Sequence, residues 1–159
     1  MLTTKLSKSL LPKAWEKRTA VMAVVNITPD SFSDGGKYLN PADAVKRAIY
    51  NLSAGADILD LGAQSTRPGA NPVNSEEELS RLLPALKAIR DSNLEALISV
   101  DTFCSKVASK AIDAGANWIN DVSGGMRDPE MFKLIADANC PYVLMHSRGD
   151  SGNMDELAV

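Results

Sequence analysis

Polar side chains close each segment of this sequence that has the apolar character and length of a buried β-strand. They are Asn26, Asp60, Asp101, the pair Asn120 and Asp121, and His146. Carboxyl and amide groups can accept hydrogen bonds from the N–H groups of a ligand, and their oxygens suit a hard cation. The carboxyl ends of parallel strands meet on one face of a barrel, so we expect these groups to converge on a site.

The strands that carry these groups alternate with helices. Strands are predicted over 20–27, 56–62, 96–101, 117–122 and 142–146, and helices over 41–54, 75–90, 105–114 and 129–138. Asn40 has the position of an N-cap residue, and Ser75 and Glu78 have the spacing of a capping box. Pro84 predicts a kink or a boundary inside the second helix. Two similar stretches, SAGADILDLG at 53–62 and DAGANWINDV at 113–122, support this phasing.

The predicted order (βα)₄β belongs to the α/β class, with apolar strands typical of a parallel sheet covered by helices. A closed (β/α)₈ barrel typically needs about 250 residues, so only part of one would fit in this chain. A five-stranded doubly wound sheet, with its site at a switch in strand order, is the alternative. Composition and periodicity leave the two architectures open.

Composition excludes several classes of protein. The chain has 159 residues, 45% hydrophobic and 23% charged, and its net charge of −3 gives no general field for nucleic acid. No apolar run reaches the roughly 20 residues that cross a bilayer, which indicates no membrane partner. Cys104 and Cys140 suggest two reduced thiols in an intracellular protein. Residues 1–19 are basic and are interpreted as a leader or linker before a domain at 20–159; an organelle presequence is the weaker alternative.

Five motifs together resemble dihydropteroate synthase. They are NITPDSFSDGG at 26–36, DLGAQSTRPGA at 60–70, SVDTF at 99–103, WINDVSGG at 118–125 and YVLMHSRGD at 142–150. The resemblance extends from about residue 20 to the end of the chain, and the wording is closest to fungal members, which are fused to other folate-pathway domains. It implies a partial (β/α)₈ barrel whose C-terminal strands are missing, and so favours the barrel by analogy.

The resemblance also implies an activity. The family condenses 6-hydroxymethyl-7,8-dihydropterin diphosphate with p-aminobenzoate, giving 7,8-dihydropteroate and pyrophosphate in folate biosynthesis. It requires Mg²⁺, is the target of sulfonamides, and its full-length members are usually homodimers. The expected compartment is the cytoplasm, or the mitochondrion for a fungal member.

Seven residues match the family's site motifs. The resemblance places Asn26 at the metal, Asp34 and Arg67 in catalysis, and Thr66, Asp101, Asn120 and Met145 at the substrate. The residue types fit these roles, since an Arg fork binds oxyanions and a buried carboxyl or amide can match the donors of a pterin edge. Asp34 could instead form a local turn before Gly35, and Met145 could be an ordinary core residue.

The sequence departs from the family in two respects. GAQS at 62–65 replaces a GGES-like stretch, so Gln64 stands where a carboxylate is common. The later strands, which in the family carry an Asp, a Lys and an Arg/His pair, are not in this chain, and we expect the chain alone to be poorly folded or inactive. A non-catalytic pterin-binding remnant and a pterin-binding methyltransferase domain are the alternative functions. His146, a lone histidine, is left out of the site.

Overall fold

Strands and helices alternate in a computed structural model, which describes residues 10–28, 40–64 and 73–146. The elements are β1 Met22–Asn26, α1 Pro41–Ser53, β2 Ile58–Gly62, α2 Ser75–Asp91, β3 Leu97–Asp101, α3 Ser105–Asp113, β4 Trp118–Asp121, α4 Glu130–Ala138 and β5 Tyr142–Leu144. Each lies within a residue or two of its predicted bounds, so the alternation of strands and helices predicted from the sequence is confirmed.

The five strands form one parallel sheet in the order β1-β2-β3-β4-β5. An order that follows the chain without reversal has no switch point, and therefore excludes the doubly wound alternative. It is the order of strands in the wall of a (β/α)₈ barrel. One face of the sheet packs on the helices through buried apolar side chains, among them Val25, Leu59, Leu61, Ile98, Val100 and Ile119. The other face carries the polar strand ends.

Of the signals predicted for α1 and α2, the N-cap of α1 is confirmed and those of α2 are not. Asn40 caps α1, since its side-chain oxygen accepts a hydrogen bond from the Asp43 backbone at 2.9 Å. The predicted capping box of α2 is wrong: Asn74 is the N-cap, and Glu78 is fully buried. Helix α2 also continues unbroken through Pro84, which is exposed, so no boundary falls there.

The two similar stretches fold in the same way. Gly55 and Gly115 both follow a helix with positive φ, 101° and 103°. Two residues further on, Asp57 accepts a hydrogen bond from the Val21 backbone and Asn117 accepts one from the Ile98 backbone, each at 2.9 Å. An arginine also binds each acceptor: Arg18 pairs with Asp57 and Arg90 with Asn117. The sequence repeat is therefore a structural repeat.

Arg90 also holds together the amino-terminal ends of β3 and β4, the strands that carry the central polar groups. Its guanidinium donates to the Gly115 carbonyl at 2.9 Å and to the Ala96 carbonyl at 2.8 Å. A planar guanidinium with several fixed donors suits such a clamp. Because it joins α2 to the starts of both strands, it helps to hold their register.

Part of the basic N-terminal segment packs against the amino-terminal end of the sheet. Trp118, the first residue of β4, donates its indole N–H to the Leu10 carbonyl at 2.6 Å. Pro12 is buried, and Arg18 donates to Asp57 at 2.8 Å. Residues 10–18 thus cover the end of the sheet opposite the polar strand ends. Within the described ranges, no helix combines the length and apolar character required to cross a membrane.

Candidate active site

Four residues from four neighbouring strands lie in one row at the carboxyl end of the sheet. Asn26 pairs with Gly62, Gly62 with Asp101, and Asp101 with Asn120. Paired residues of a parallel sheet direct their side chains to the same face. The predicted convergence of Asn26, Asp101 and Asn120 is therefore confirmed, and the face on which they meet is the one away from the helices.

Gly62 leaves a gap in the middle of this row. A Cβ at Gly62 would stand 3.7 Å from Asn26 Oδ1 and 3.7 Å from Asp101 Oδ2. Both oxygens therefore border the space that a larger residue would fill. A ligand or a hydrated ion can approach the strand backbone at this point because no side chain occupies it.

Asp101 is the central acid of the row. Burial, together with the nearby carboxyl groups of Asp60, Glu78 and Asp121, raises its pKa from 3.8 to about 7. A carboxyl group with a pKa near neutrality changes its charge readily in response to a neighbour. A ligand that donates N–H groups to Asp101 will favour the ionised form.

Asp60 lies on the same face as the row, as expected of the polar groups that close the strands. Its Oδ2 accepts a hydrogen bond from Asn120 Nδ2 at 3.0 Å. The residue is 4% exposed, and its Oδ1 has no hydrogen-bond partner among the described residues. Asp60 stands two residues before Gly62, so strand alternation places it on the same face.

The expectation of convergence is wrong for Asp121. It follows Asn120 directly in β4, so its side chain is turned to the opposite face. There it accepts hydrogen bonds from the Ser123 and Gly125 backbones and, at 2.6 Å, from the Tyr142 hydroxyl. This contact raises the pKa of Tyr142, after the larger effect of burial. Asp121 shapes the turn after β4, on the face of the sheet opposite the row.

A buried carboxyl group lies beside Gln64, where the family often has an acid. Gln64 donates through its side chain to Glu78 of α2. Burial raises the pKa of Glu78, and the hydrogen bonds it receives oppose this shift. Glu78 was predicted as part of a capping box and not as a buried acid. Leu82, Leu86 and Ile89 follow it at helical spacing on the buried face of α2, a pattern that could have revealed its burial. Gln64, just after β2, is thereby tied to α2.

The donor set around Asn26 suits a weakly held, hydrated cation. No group of three or more His, Cys, Asp or Glu side chains stands ready to bind a metal in the described parts of the chain. The amide oxygen of Asn26 and the nearby Asp101 carboxyl are hard oxygen donors beside the Gly62 gap. Mg²⁺ commonly binds through one or two protein oxygens and completes its shell with water and phosphate oxygens. The residues fit that mode of binding.

Met145 follows β5 and is 41% exposed. Its carbonyl oxygen would be 2.5 Å from a Cβ at Gly124, so the turn after β4 packs directly on this end of β5. Contact of the Met145 side chain with a substrate remains a prediction. Asp34, Thr66 and Arg67 lie outside the described residues, so their predicted roles also remain predictions.

Comparison with known families agrees with this geometry. A family model described as "Pterin binding enzyme" matches residues 22–159. The chain therefore belongs to the family of pterin-binding enzymes. The match covers every strand and helix that the structure describes, and it confirms the family resemblance drawn from the motifs.

Relatives of this chain include one plant protein and two dihydropteroate synthases of known structure. The mitochondrial folate synthesis bifunctional protein of Arabidopsis thaliana is 53% identical over 146 residues, which cover 89% of this chain and 26% of that protein. The Xanthomonas albilineans dihydropteroate synthase with 4-aminobenzoic acid has a TM-score of 0.76 and 44% identity, over 83% of this chain and 48% of that one. The Burkholderia cenocepacia dihydropteroate synthase complexed with 7,8-dihydropteroate has a TM-score of 0.70 and 38% identity, over 87% and 45%.

These relatives confirm the fold class as part of a (β/α)₈ barrel. The chain spans about half the length of the synthase structures and about a quarter of the plant protein. The described sheet accordingly forms an arc of five strands, with β1 and β5 at its two edges.

Proposed function

We propose that the protein carrying this segment is a dihydropteroate synthase, which joins 6-hydroxymethyl-7,8-dihydropterin diphosphate to p-aminobenzoate. The observation that carries the proposal is the row of Asn26, Asp101 and Asn120 beside the Gly62 gap. It combines acceptors for a heterocycle with an oxygen donor for a cation. The names of the synthase structures support p-aminobenzoate as a substrate, through the complex with 4-aminobenzoic acid, and 7,8-dihydropteroate as the product.

The pterin is held by Asp101 and Asn120. The aminopyrimidinone edge of a pterin presents adjacent N–H donors and a carbonyl acceptor. An ionised Asp101 accepts from such donors, and the amide of Asn120 offers its carbonyl oxygen as a further acceptor. A ligand lacking the matching groups would leave these buried atoms unpaired, at a cost of about 1–3 kcal/mol each. The site therefore selects the heterocycle by its hydrogen-bonding pattern.

The diphosphate end lies toward Asn26. When bound there, Mg²⁺ would neutralise the charge that develops on the departing diphosphate. Asn26 supplies the protein oxygen for it, and the Gly62 gap leaves room for its water shell. Thr66 and Arg67, which follow Gln64 in the chain, are proposed to bind the diphosphate and to complete the p-aminobenzoate site. Asp34 is proposed to contribute charge near the reacting carbon.

The reaction itself is a substitution at carbon. The amine nitrogen of p-aminobenzoate forms a bond to the methylene carbon of the pterin, and the carbon–oxygen bond to diphosphate breaks. Pyrophosphate leaves with the electron pair, and the amine gives up one proton. The described residues orient the pterin and favour departure of the diphosphate, which is catalysis mainly by positioning and electrostatics.

Pterin binding without turnover is the second candidate for the 159-residue chain. It is favoured by the fact that the chain spans only about half of the synthase structures.

The name of the Arabidopsis relative supports two further predictions. The word "bifunctional" supports fusion to another folate-pathway domain, and the word "mitochondrial" supports a mitochondrial location. The homodimer is proposed on the resemblance alone.

The test compares two polypeptides: the 159-residue chain and the longest reading frame that carries it. Pyrophosphate release is measured from the pterin diphosphate with and without p-aminobenzoate. We expect release only when both substrates and Mg²⁺ are present, and a loss of more than about a hundredfold in Asp101→Ala. Asp113→Ala, on the exposed surface of α3, is the matched control and should retain full activity.

Two outcomes would decide against the synthase. Release that does not depend on p-aminobenzoate would indicate a hydrolase. Pterin binding by the longer polypeptide with no turnover under any condition would favour the binding module. Normal activity of Asp101→Ala would leave the synthase standing but would remove Asp101 from the site.

A further inference from the structure

The hydrogen bond between Asp60 and Asn120 crosses over a strand. Strand β3 lies between β2 and β4, yet Asn120 Nδ2 reaches Asp60 Oδ2 at 3.0 Å. Asp60 is almost completely buried, so the bond forms away from bulk water. A hydrogen bond to a carboxyl group in such surroundings is stronger than one at the surface. The two ends of this bridge are thus fixed relative to each other.

The bridge also fixes which way the Asn120 amide faces. An Asn side chain presents a carbonyl oxygen at one side and an NH₂ group at the other. Asp60 offers a carboxyl oxygen to it, so the NH₂ group is the side that turns toward Asp60. The carbonyl oxygen Oδ1 of Asn120 is then left for a ligand, in the same row as the acceptor atoms of Asp101. The reverse orientation would place two oxygens face to face.

We propose that Asp60 is a positioning residue that sets substrate specificity through Asn120. By holding the amide in one orientation, it makes the site present acceptors at Asp101 and Asn120. The site therefore prefers a heterocycle whose edge carries N–H donors, such as an aminopyrimidinone, over one with a carbonyl group in place of the amino group. The inference rests on the proposed function, because it explains how that same site selects a pterin.

The experiment measures preference and affinity together. Fluorescence titrations with 6-hydroxymethylpterin and 6-hydroxymethyllumazine, which has an oxo group in place of the 2-amino group, use the longest reading frame that carries this segment. Asp60→Asn keeps the shape but can accept from or donate to Asn120, so it no longer selects one orientation. We expect its preference for the pterin to fall about tenfold to a hundredfold. Ser99→Ala, a buried neighbour paired with Asp60 in the sheet, is the matched control and should keep the preference.

A double-mutant cycle separates positioning from a general structural role. If Asp60 acts through Asn120, Asp60→Asn should have almost no further effect on the preference in an Asn120→Ala background. An equal effect in both backgrounds would overturn the inference. If Asp60→Asn does not fold, the same cycle is measured with Asp60→Ser, whose short side chain cannot reach the amide.

The outcomes also separate this inference from the proposed function. Pterin binding that is lost in Asn120→Ala but unchanged in preference in Asp60→Asn would overturn the role of Asp60 and leave the synthase intact. Equal affinity of the unaltered protein for both ligands would likewise overturn the inference. Failure of the unaltered protein to bind a pterin at all would overturn the proposed function, and the inference with it.

Discussion

Asp101→Asn is expected to stabilise the fold at neutral and alkaline pH while replacing one of the two acceptor oxygens available to the proposed ligand with an NH₂ donor. Burial, together with neighbouring carboxyl groups, raises the pKa of Asp101 from 3.8 to about 7 in the folded protein. Between these two values the folded state keeps a proton that the unfolded chain has lost. The free energy of unfolding therefore falls as pH rises through this window, and the fall ends once the folded state is also ionised.

The magnitude follows from the width of that window. Each pH unit corresponds to about 1.4 kcal/mol, so the ionised carboxyl group costs about 4 kcal/mol at pH 8. At pH 5 the same relation gives about 1.5 kcal/mol, because only part of the window has been crossed. A neutral Asn of the same shape bears no such cost. The stabilisation by Asp101→Asn should therefore grow by about 2–3 kcal/mol between pH 5 and pH 8.

Urea denaturation at pH 5, 6, 7 and 8, followed by tryptophan fluorescence, measures this difference. Trp118 at the start of β4 lies in the folded sheet and reports on it. Asp113→Asn, which removes one negative charge from the exposed surface of α3, is the control for net charge. A pH-independent difference between Asp101→Asn and the unaltered chain would refute the reasoning, and so would a variant that is less stable at pH 8.

Two further predictions concern the turn that supports the site. Gly124→Ala should destabilise the fold by about 2–3 kcal/mol in urea denaturation, because the new Cβ would stand 2.5 Å from a backbone carbonyl; Gly55→Ala, also at positive φ but with nothing within 4 Å, should cost less. Tyr142→Phe should cost about 1–2 kcal/mol because buried Asp121 loses a hydrogen bond, whereas Tyr50→Phe at an exposed position should cost almost nothing. Equal losses within either pair would contradict these contacts.

Features of the helices could be predicted where they depend on residues close in the sequence. The predictions failed where a contact forms only in the packed fold. The Asn40 cap depends on a residue three positions away, so the sequence contains all that it requires. The capping box at Ser75 was wrong because Asn74 caps the helix, and Glu78 instead accepts from Gln64, which lies 14 residues earlier and meets it only after α2 packs on the sheet. Pro84 is accommodated because it lies on the exposed side of α2, a fact that depends on packing.

The site residues, too, could be predicted where the signal is local and could not where it depends on tertiary contacts. Asn26, Asp101 and Asn120 could be predicted because the end of a strand is visible in the sequence, and the sheet brings such ends into one row. Asp121 was misplaced because two adjacent polar residues cannot both face one side of a strand. The contact of Asp60 with Asn120 could not be predicted, since it depends on how closely β2 and β4 approach across β3.

The structural repeat relates the two residues of the Asp60–Asn120 hydrogen bond to each other. Aligning SAGADILDLG with DAGANWINDV places Asp60 and Asn120 at equivalent positions, so the hydrogen bond joins a residue to its own counterpart. Identical residues could not do this equally well. Two acids would set negative charges against each other, and two amides would leave the direction of donation undecided. Because Asn120 has an NH₂ group where Asp60 has an oxygen, Asn120 is always the donor and Asp60 always the acceptor. The pair at the centre of this half of the barrel therefore has a fixed direction of hydrogen bonding.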